Sequence, residues 1–213
     1  NKYANDLWAT GEAVESYIQD VINQLEICGT YSIPIAVMHA SLGSPTDFAL
    51  NPNEQGLKNF ERILKVAKKN KVKIAIENVD CYSIKHVYYL LDNIKDKSVG
   101  FCYDVGHHHL YNPKTDLLKK YGDRLFAVHL HDNLIDWHKG YDYTRDLHLL
   151  PFDGKINFDK VCKKLKAIGY KGVIMLELHK KACGKPQMYE NTNNQEYLKE
   201  AFKRAEKLRT MVE

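Results

Sequence analysis

The sequence predicts an α/β fold in which parallel strands alternate with helices as a (β/α)8 barrel, and three observations predict it. Helical and strand-like segments alternate from one end of the 213 residues to the other. Four short apolar runs each end on a residue able to ligate a metal: Val72 to Ile76 into Glu77, Val99 to Tyr103 into Asp104, Leu125 to Val128 into His129, and Gly172 to Leu176 into Glu177. A fifth run, Ile33 to Met38, stops at His39. Strands of a parallel sheet are buried on both faces and read as continuous β-branched runs, so a polar residue at the carboxyl end has a cause. Finally, successive ends lie 38, 27, 25 and 48 residues apart, near the roughly 30 of a βαβ unit. Carboxylates and imidazoles gathered at such ends fit a barrel whose active site sits on its C-terminal face.

The elements follow in order. A helix is expected over about 10–27, with Val14, Tyr17, Ile18, Val21, Ile22 and Leu25 at helical spacing and Gly29 just past its end. The His39 strand is followed by a loop rich in Gly, Ser, Pro and Asn up to Asn53. Helix two covers 54–70, with Leu57, Phe60, Ile63, Leu64 and Ala67 on one stripe. The Glu77 strand, a helix over 83–93, the Asp104 strand and a short helix near 115–121 come next. After the His129 strand runs a polar loop over 133–155, then a helix over 158–168 with Asn157 as cap and Gly169 as stop. The Glu177 strand, an irregular loop and a helix over 195–211 complete the chain.

Five strands fall short of the eight that close such a barrel. Asn1 to Leu7 read as the loop leaving a strand that is not present, and no initiator Met heads the chain. About three N-terminal βα units are therefore expected to be missing from a single domain spanning 1–213. An open five-stranded doubly wound sheet is the rival arrangement.

Composition narrows the function classes. With 31 Lys and Arg against 27 Asp and Glu, the net charge is +4, and the lysines are spread along amphipathic helices. A nucleic-acid binder usually concentrates them on one surface. No apolar run approaches the ~18–20 residues of a membrane span. Five cysteines without a CxxC pair point to a reducing, cytoplasmic compartment. Cys28, Cys102 and Cys162 read as core residues, while Cys81 and Cys183 fall nearer the strand ends.

Glu77, Asp104, His129 and Glu177 offer three carboxylates and one imidazole, a set suited to Mn²⁺, Mg²⁺ or Co²⁺ and able to take Zn²⁺. A single strand-end carboxylate is usually a helix cap or an ion-pair partner; four in register are not explained that way. His129 and His131 share a face of their strand, so either could ligate while the other contacts the ligand or the substrate. Gly106 permits a sharp turn that brings His107 over the site, whereas His108 and His109 read as a solvated loop. His39 either lines the pocket or merely ends its strand. His86 and His138 read as surface residues. Asp146 and His148 lie in a compact loop, Asp146 to Gly154, that faces the same mouth as the His129 strand.

These residues carry a family resemblance. Glu77-Asn78, Asp104-Val105-Gly106-His107, His129-Leu130-His131-Asp132-Asn133, Asp146 to Pro151 with Gly154, and Glu177-Leu178 together resemble the xylose isomerase-like superfamily of TIM barrels. That superfamily holds sugar phosphate isomerases and epimerases and also the endonuclease IV type of DNA-repair enzyme (AP endonuclease family 2). The resemblance covers essentially the whole chain, as the C-terminal five-eighths of such a barrel. It implies one divalent ion held by Glu77, Asp104, His129 and Glu177, the first His of the His-x-His being the ligand. It further implies a hydroxy-ketone or aldose substrate whose C–H proton is moved by Glu77 or Glu177. In the endonuclease branch a trinuclear zinc site would add His39, His107, Asp146 and His148, all filled here. Against that branch, the loop before Asp146 shows only Gly140, and His148-Leu149-Leu150-Pro151 is closer to the sugar enzymes. A small-molecule sugar substrate, no nucleic acid, no membrane and compatibility with a homo-oligomer follow; a non-catalytic sugar-binding barrel is a third reading.

Overall fold

A computed structural model describes residues 4–42, 50–135, 142–181 and 188–213. Within them the chain forms two compact units, Asn1–Cys102 and Tyr103–Glu213. Cys183, His138 and Gly140 lie outside the described residues.

In the first unit a 3-10 turn, Ala4–Trp8, leads into α1 (Glu12–Thr30), β1 (Ile35–His39), α2 (Glu54–Lys69), β2 (Lys73–Glu77), α3 (Ile84–Asn93) and the start of β3 (Val99–Asp104). The strands β1, β2 and β3 pair parallel in chain order, with His39 opposite Glu77 and Glu77 opposite Cys102. All of β3 and the last four residues of β2 are buried, as expected of strands covered on both faces. The Asn53 side chain caps α2 by accepting from the Gly56 amide at 2.9 Å, a contact worth about 1 kcal/mol. Gly56 leaves room for the Trp8 ring, which a Cβ would meet at 2.1 Å. Trp8 is anchored in turn by donating from Nε1 to the Ala40 carbonyl at 2.7 Å.

The second unit takes the end of β3, then α4 (Val105–Tyr111), α5 (Leu117–Tyr121), β4 (Leu125–Leu130), α6 (Phe158–Ala167), β5 (Met175–Leu176) and α7 (Asn194–Val212). β4 and β5 pair parallel, His129 opposite Met175 and Leu130 opposite Leu176. Asn157 and Asn193 cap α6 and α7 through the amides of Lys160 and Glu196. Gly169 takes a φ of +70° just past α6, the left-handed conformation that glycine adopts most freely. No helix among the described residues is long and apolar enough to cross a membrane.

Four expectations are corrected. α1 runs through Gly29 to Thr30, because Gly29 serves close packing: a Cβ there would meet the Asn70 side chain at 2.5 Å. His107, His108 and His109 lie on α4 and not in a turn and solvated loop. His108 accepts from the Tyr103 hydroxyl at Nδ1 (2.7 Å) and donates from Nε2 to the Thr115 carbonyl (2.7 Å). His86 is fully buried, its ring against Trp8 and its Nε2 on the Leu50 carbonyl at 2.6 Å. The Gly172–Leu176 run yields only two strand residues, and Val173 and Met175 are 70% and 49% exposed.

Candidate metal centre

β3 ends on Asp104, which begins α4 as its N-cap: Oδ1 accepts from the His107 amide at 2.7 Å. The residue is fully buried and takes a second donor, His131 Nε2, at 3.0 Å from Oδ1 and 3.2 Å from Oδ2. Gly106 makes that approach feasible, since a Cβ there would lie 1.9 Å from the His131 ring. Its role is therefore close contact across α4, in place of the sharp turn expected from sequence. From the end of β4, His129 Nδ1 lies 3.8 Å from Asp104 Oδ2 and 3.1 Å from Glu177 Oε2. Asp104, His129 and Glu177 thus offer ligand atoms within 4.8 Å of one another.

Glu177 Oε2 is buried and has no hydrogen-bond partner among the described residues. An orphaned carboxylate oxygen facing an imidazole and a second carboxylate is the arrangement a divalent cation would satisfy. The donors suit such an ion, so the residues fit the group that the sequence implied. The Glu177 side chain as a whole is 40% exposed, so it stands open to solvent although it follows the apolar Gly172–Leu176 run. Glu77, the fourth residue of the expected set, belongs to the first unit, where it is buried at the end of β2 and lies 3.0 Å from His39 Nε2.

A second group stands in the same unit as Asp104. His107, His131, Asp146 and His148 bring one ligand atom each within 4.8 Å of one another. Asp146 Oδ2 lies 2.9 Å from His107 Nε2 and 3.3 Å from His148 Nε2, while its Oδ1 is buried without a partner among the described residues. Burial alone would raise the Asp146 carboxyl, but the charges and hydrogen bonds of His107 and His148 overcome it and hold it well below 3.8. Burial likewise works against a charged His148, yet Asp146 outweighs it and the imidazole is held above its ordinary value.

The loop that presents Asp146 and His148 is organised by residues downstream of β4. Asp132, fully buried, accepts from the amides of Asn133, Phe152, Gly154 and Ile156 at 2.8–3.0 Å. Asp132 and Leu149 exchange both backbone hydrogen bonds at 2.9 Å, and Asn133 Oδ1 accepts from the Leu147 amide at 2.6 Å. His148 sits between these anchors with a φ of +48°, a conformation uncommon outside glycine.

Two functional candidates escaped the sequence reading. In the sequence Asp132 stands out only as part of the His129-to-Asn133 run, and Gly154, whose Cβ would lie 2.4 Å from Asp132 Oδ1, is the signal for its role. His179 was not singled out at all. Its ring stacks on His148 at 4.2 Å between centroids, while His148 stacks on His131 at 3.8 Å. Its signal was the spacing Glu177-Leu178-His179, the same two-residue step that paired His129 with His131.

Comparison with known proteins follows the same outline. A family described as a xylose isomerase-like TIM barrel matches residues 3–208. The uncharacterised protein y4fM of Sinorhizobium fredii is 30% identical over 174 residues, 76% of this chain and 53% of that one. The chain therefore spans about half the length of this curated relative. Among solved structures, a D-psicose 3-epimerase from Clostridium cellulolyticum H10, crystallised with D-tagatose, superposes with a TM-score of 0.79 at 13% identity, covering 100% of this chain and 76% of that one. The IolI protein with a bound zinc atom superposes with a TM-score of 0.66 at 19% identity, over 92% and 68% of the two chains. At these identities the structural likeness establishes the fold.

Proposed function

The chain belongs to the xylose isomerase-like TIM barrel family, and from that membership we propose that it is a divalent-metal-dependent isomerase or epimerase of a sugar or sugar phosphate. The observation that carries the reading is the meeting of Asp104, His129 and Glu177 at strand ends with Glu177 Oε2 buried and unsatisfied. In this proposal Glu77, from the end of β2, completes the ligand set. A bound divalent ion supplies positive charge that polarises a substrate carbonyl and acidifies the neighbouring C–H.

The chain's own residues supply the rest. Glu177 is the proposed base: its half-exposed side chain is open to a substrate, and one oxygen near His129 leaves the other free to take a proton. Glu77 is the proposed opposite acid, returning a proton at the same or the adjacent carbon. His129 and Asp104 hold their positions through the network described above, with His131 donating to Asp104 from behind. His107 and His148, both near-buried and hydrogen-bonded to Asp146, are the proposed contacts to substrate hydroxyls. His39, 3.0 Å from Glu77, is proposed to orient that carboxylate. The epimerase and isomerase names among similar folds support the class.

The test is metal analysis of the purified protein followed by a panel of ketoses, aldoses and their phosphates with Mn²⁺, Mg²⁺, Co²⁺ or Zn²⁺ restored. About one ion per chain with sugar turnover supports the proposal. A second reading, the endonuclease IV type, is favoured by one observation: His107, Asp146 and His148 form a separate ligand group with an orphaned carboxylate oxygen. About three zinc ions per chain, with cleavage of abasic DNA and no sugar turnover, would replace the main reading by this one.

A further inference from the structure

We propose that His179 is a positioning residue that fixes the ring of His148, a task no motif of the family resemblance assigned to it. His148 is held by the chain segment that carries Glu177. Its Nδ1 lies 3.0 Å from the Glu177 carbonyl, and the His179 amide donates to the His148 carbonyl at 3.0 Å. The two segments thus grip each other by one side-chain and one main-chain hydrogen bond.

Those bonds fix the edge of the His148 ring and leave its two faces to be held by stacking. One face lies on His131 at 3.8 Å, nearly coplanar at 6°. The opposite face is covered by His179 at 4.2 Å and 23°. His107 meets the ring edge-on at 5.7 Å. Because Nδ1–H is committed to a carbonyl, Nε2 is the nitrogen turned toward Asp146, at 3.3 Å. The grip therefore selects the orientation of His148, with both ring nitrogens turned to oxygen acceptors.

His148 needs such support because its own backbone does not favour the pose. Its φ of +48° is uncommon for a residue with a Cβ, so the ring is placed by surroundings and not by local preference. Removing the His179 ring would open one face of His148 and let the ring turn away from Asp146. A phenyl ring would restore the covered face without offering a nitrogen. That contrast separates stacking from ligation or proton transfer.

The kinetic arm of the test rests on the isomerase or epimerase reading; the spectroscopic arm does not. In the full chain, ¹⁵N-detected imidazole spectra of wild type should show one sharp His148 signature with Nδ1 carrying a proton, as its bond to the Glu177 carbonyl requires. His179→Ala should broaden or split that signature, and His179→Phe should return it to the wild-type form. On whichever sugar the panel identifies, kcat should fall about three- to tenfold in His179→Ala, as expected from losing one aromatic contact, and recover to within about twofold in His179→Phe. His179→Phe as impaired as His179→Ala in both arms would overturn the proposal and make a ring nitrogen the functional feature. Wild-type spectra and rates in His179→Ala would overturn it as well. If wild type turns over no sugar while the His148 signature follows the stacking pattern, the functional reading fails and the positioning role stands.

Discussion

At Asp104 one carboxylate meets two demands at once, capping α4 through the His107 amide and accepting from His131. Asparagine also caps helices, so Asp104→Asn should fold with stability close to wild type while losing at least about tenfold in affinity for a divalent ion. Calorimetric titration with Mn²⁺ measures it, and unchanged affinity would leave Asp104 a structural cap. Glu177→Gln keeps the size of the side chain and one oxygen able to ligate but removes the proposed base. It should fold, keep measurable metal binding and lose at least ~10²-fold in turnover, the low end of a general base's contribution. Near-normal turnover in that variant would remove Glu177 from the chemistry. His86 carries a prediction of a different kind. Burial pushes its imidazole below 6.5, with the Leu50 carbonyl partly opposing, so the folded protein holds the neutral form. The stability this contributes is full above 6.5 and falls as pH drops below that value, where the unfolded chain takes up the proton first. Urea unfolding between pH 7.5 and 5 should therefore decline less steeply for His86→Phe than for wild type. Residues of this kind divide by legibility: Asp104 and His129 announce themselves as polar ends of apolar runs. His86 does not, because one imidazole on a helix looks the same in sequence whether water or Trp8 lies beside it.

Among elements, α4 separates what sequence can carry from what packing decides. Val105–Tyr111 spans only seven residues with one glycine and three histidines, too short for an apolar period to declare a helix. Its existence is owed to the Asp104 cap and to burial of Leu110 and Tyr111, neither visible until the strands are in place. Gly106→Ala tests the element directly. Its Cβ would fall within the His131 ring, so either α4 or His131 must shift. The expected cost is about 1–3 kcal/mol of overpacking, together with weaker metal binding as His131 leaves Asp104. Chemical denaturation and titration of the same sample check both, and a variant unchanged in both would place the helix farther from His131. The longer helices α2, α6 and α7 were legible because each has an Asn cap and an apolar stripe at the right spacing. β5 was legible in kind and not in extent: its run is apolar for five residues, but only Met175 and Leu176 join the ladder.

For the molecule as a whole, a cation that binds only the folded state should raise its stability by mass action. At a hundred times its Kd the gain is about 2.7 kcal/mol. Thermal unfolding with and without Mn²⁺, Co²⁺ or Zn²⁺ should show that rise, reversed by a chelator. A melting temperature indifferent to every divalent ion would count against the centre itself. The family was readable from the chain because potential ligands end its apolar runs, whereas the loop from Asp146 to Ile156 was not, since its shape is dictated from a distance by Asp132. That dictation has an arithmetic consequence. Four amides at positions 133, 152, 154 and 156 meet one carboxylate, so the length of the stretch between Leu149 and Ile156 is fixed more tightly than its spelling. Side chains there can be exchanged wherever none is packed, but a single inserted or deleted residue moves some amides off the carboxylate. Anyone redesigning this loop would do well to vary letters in that stretch and never its count.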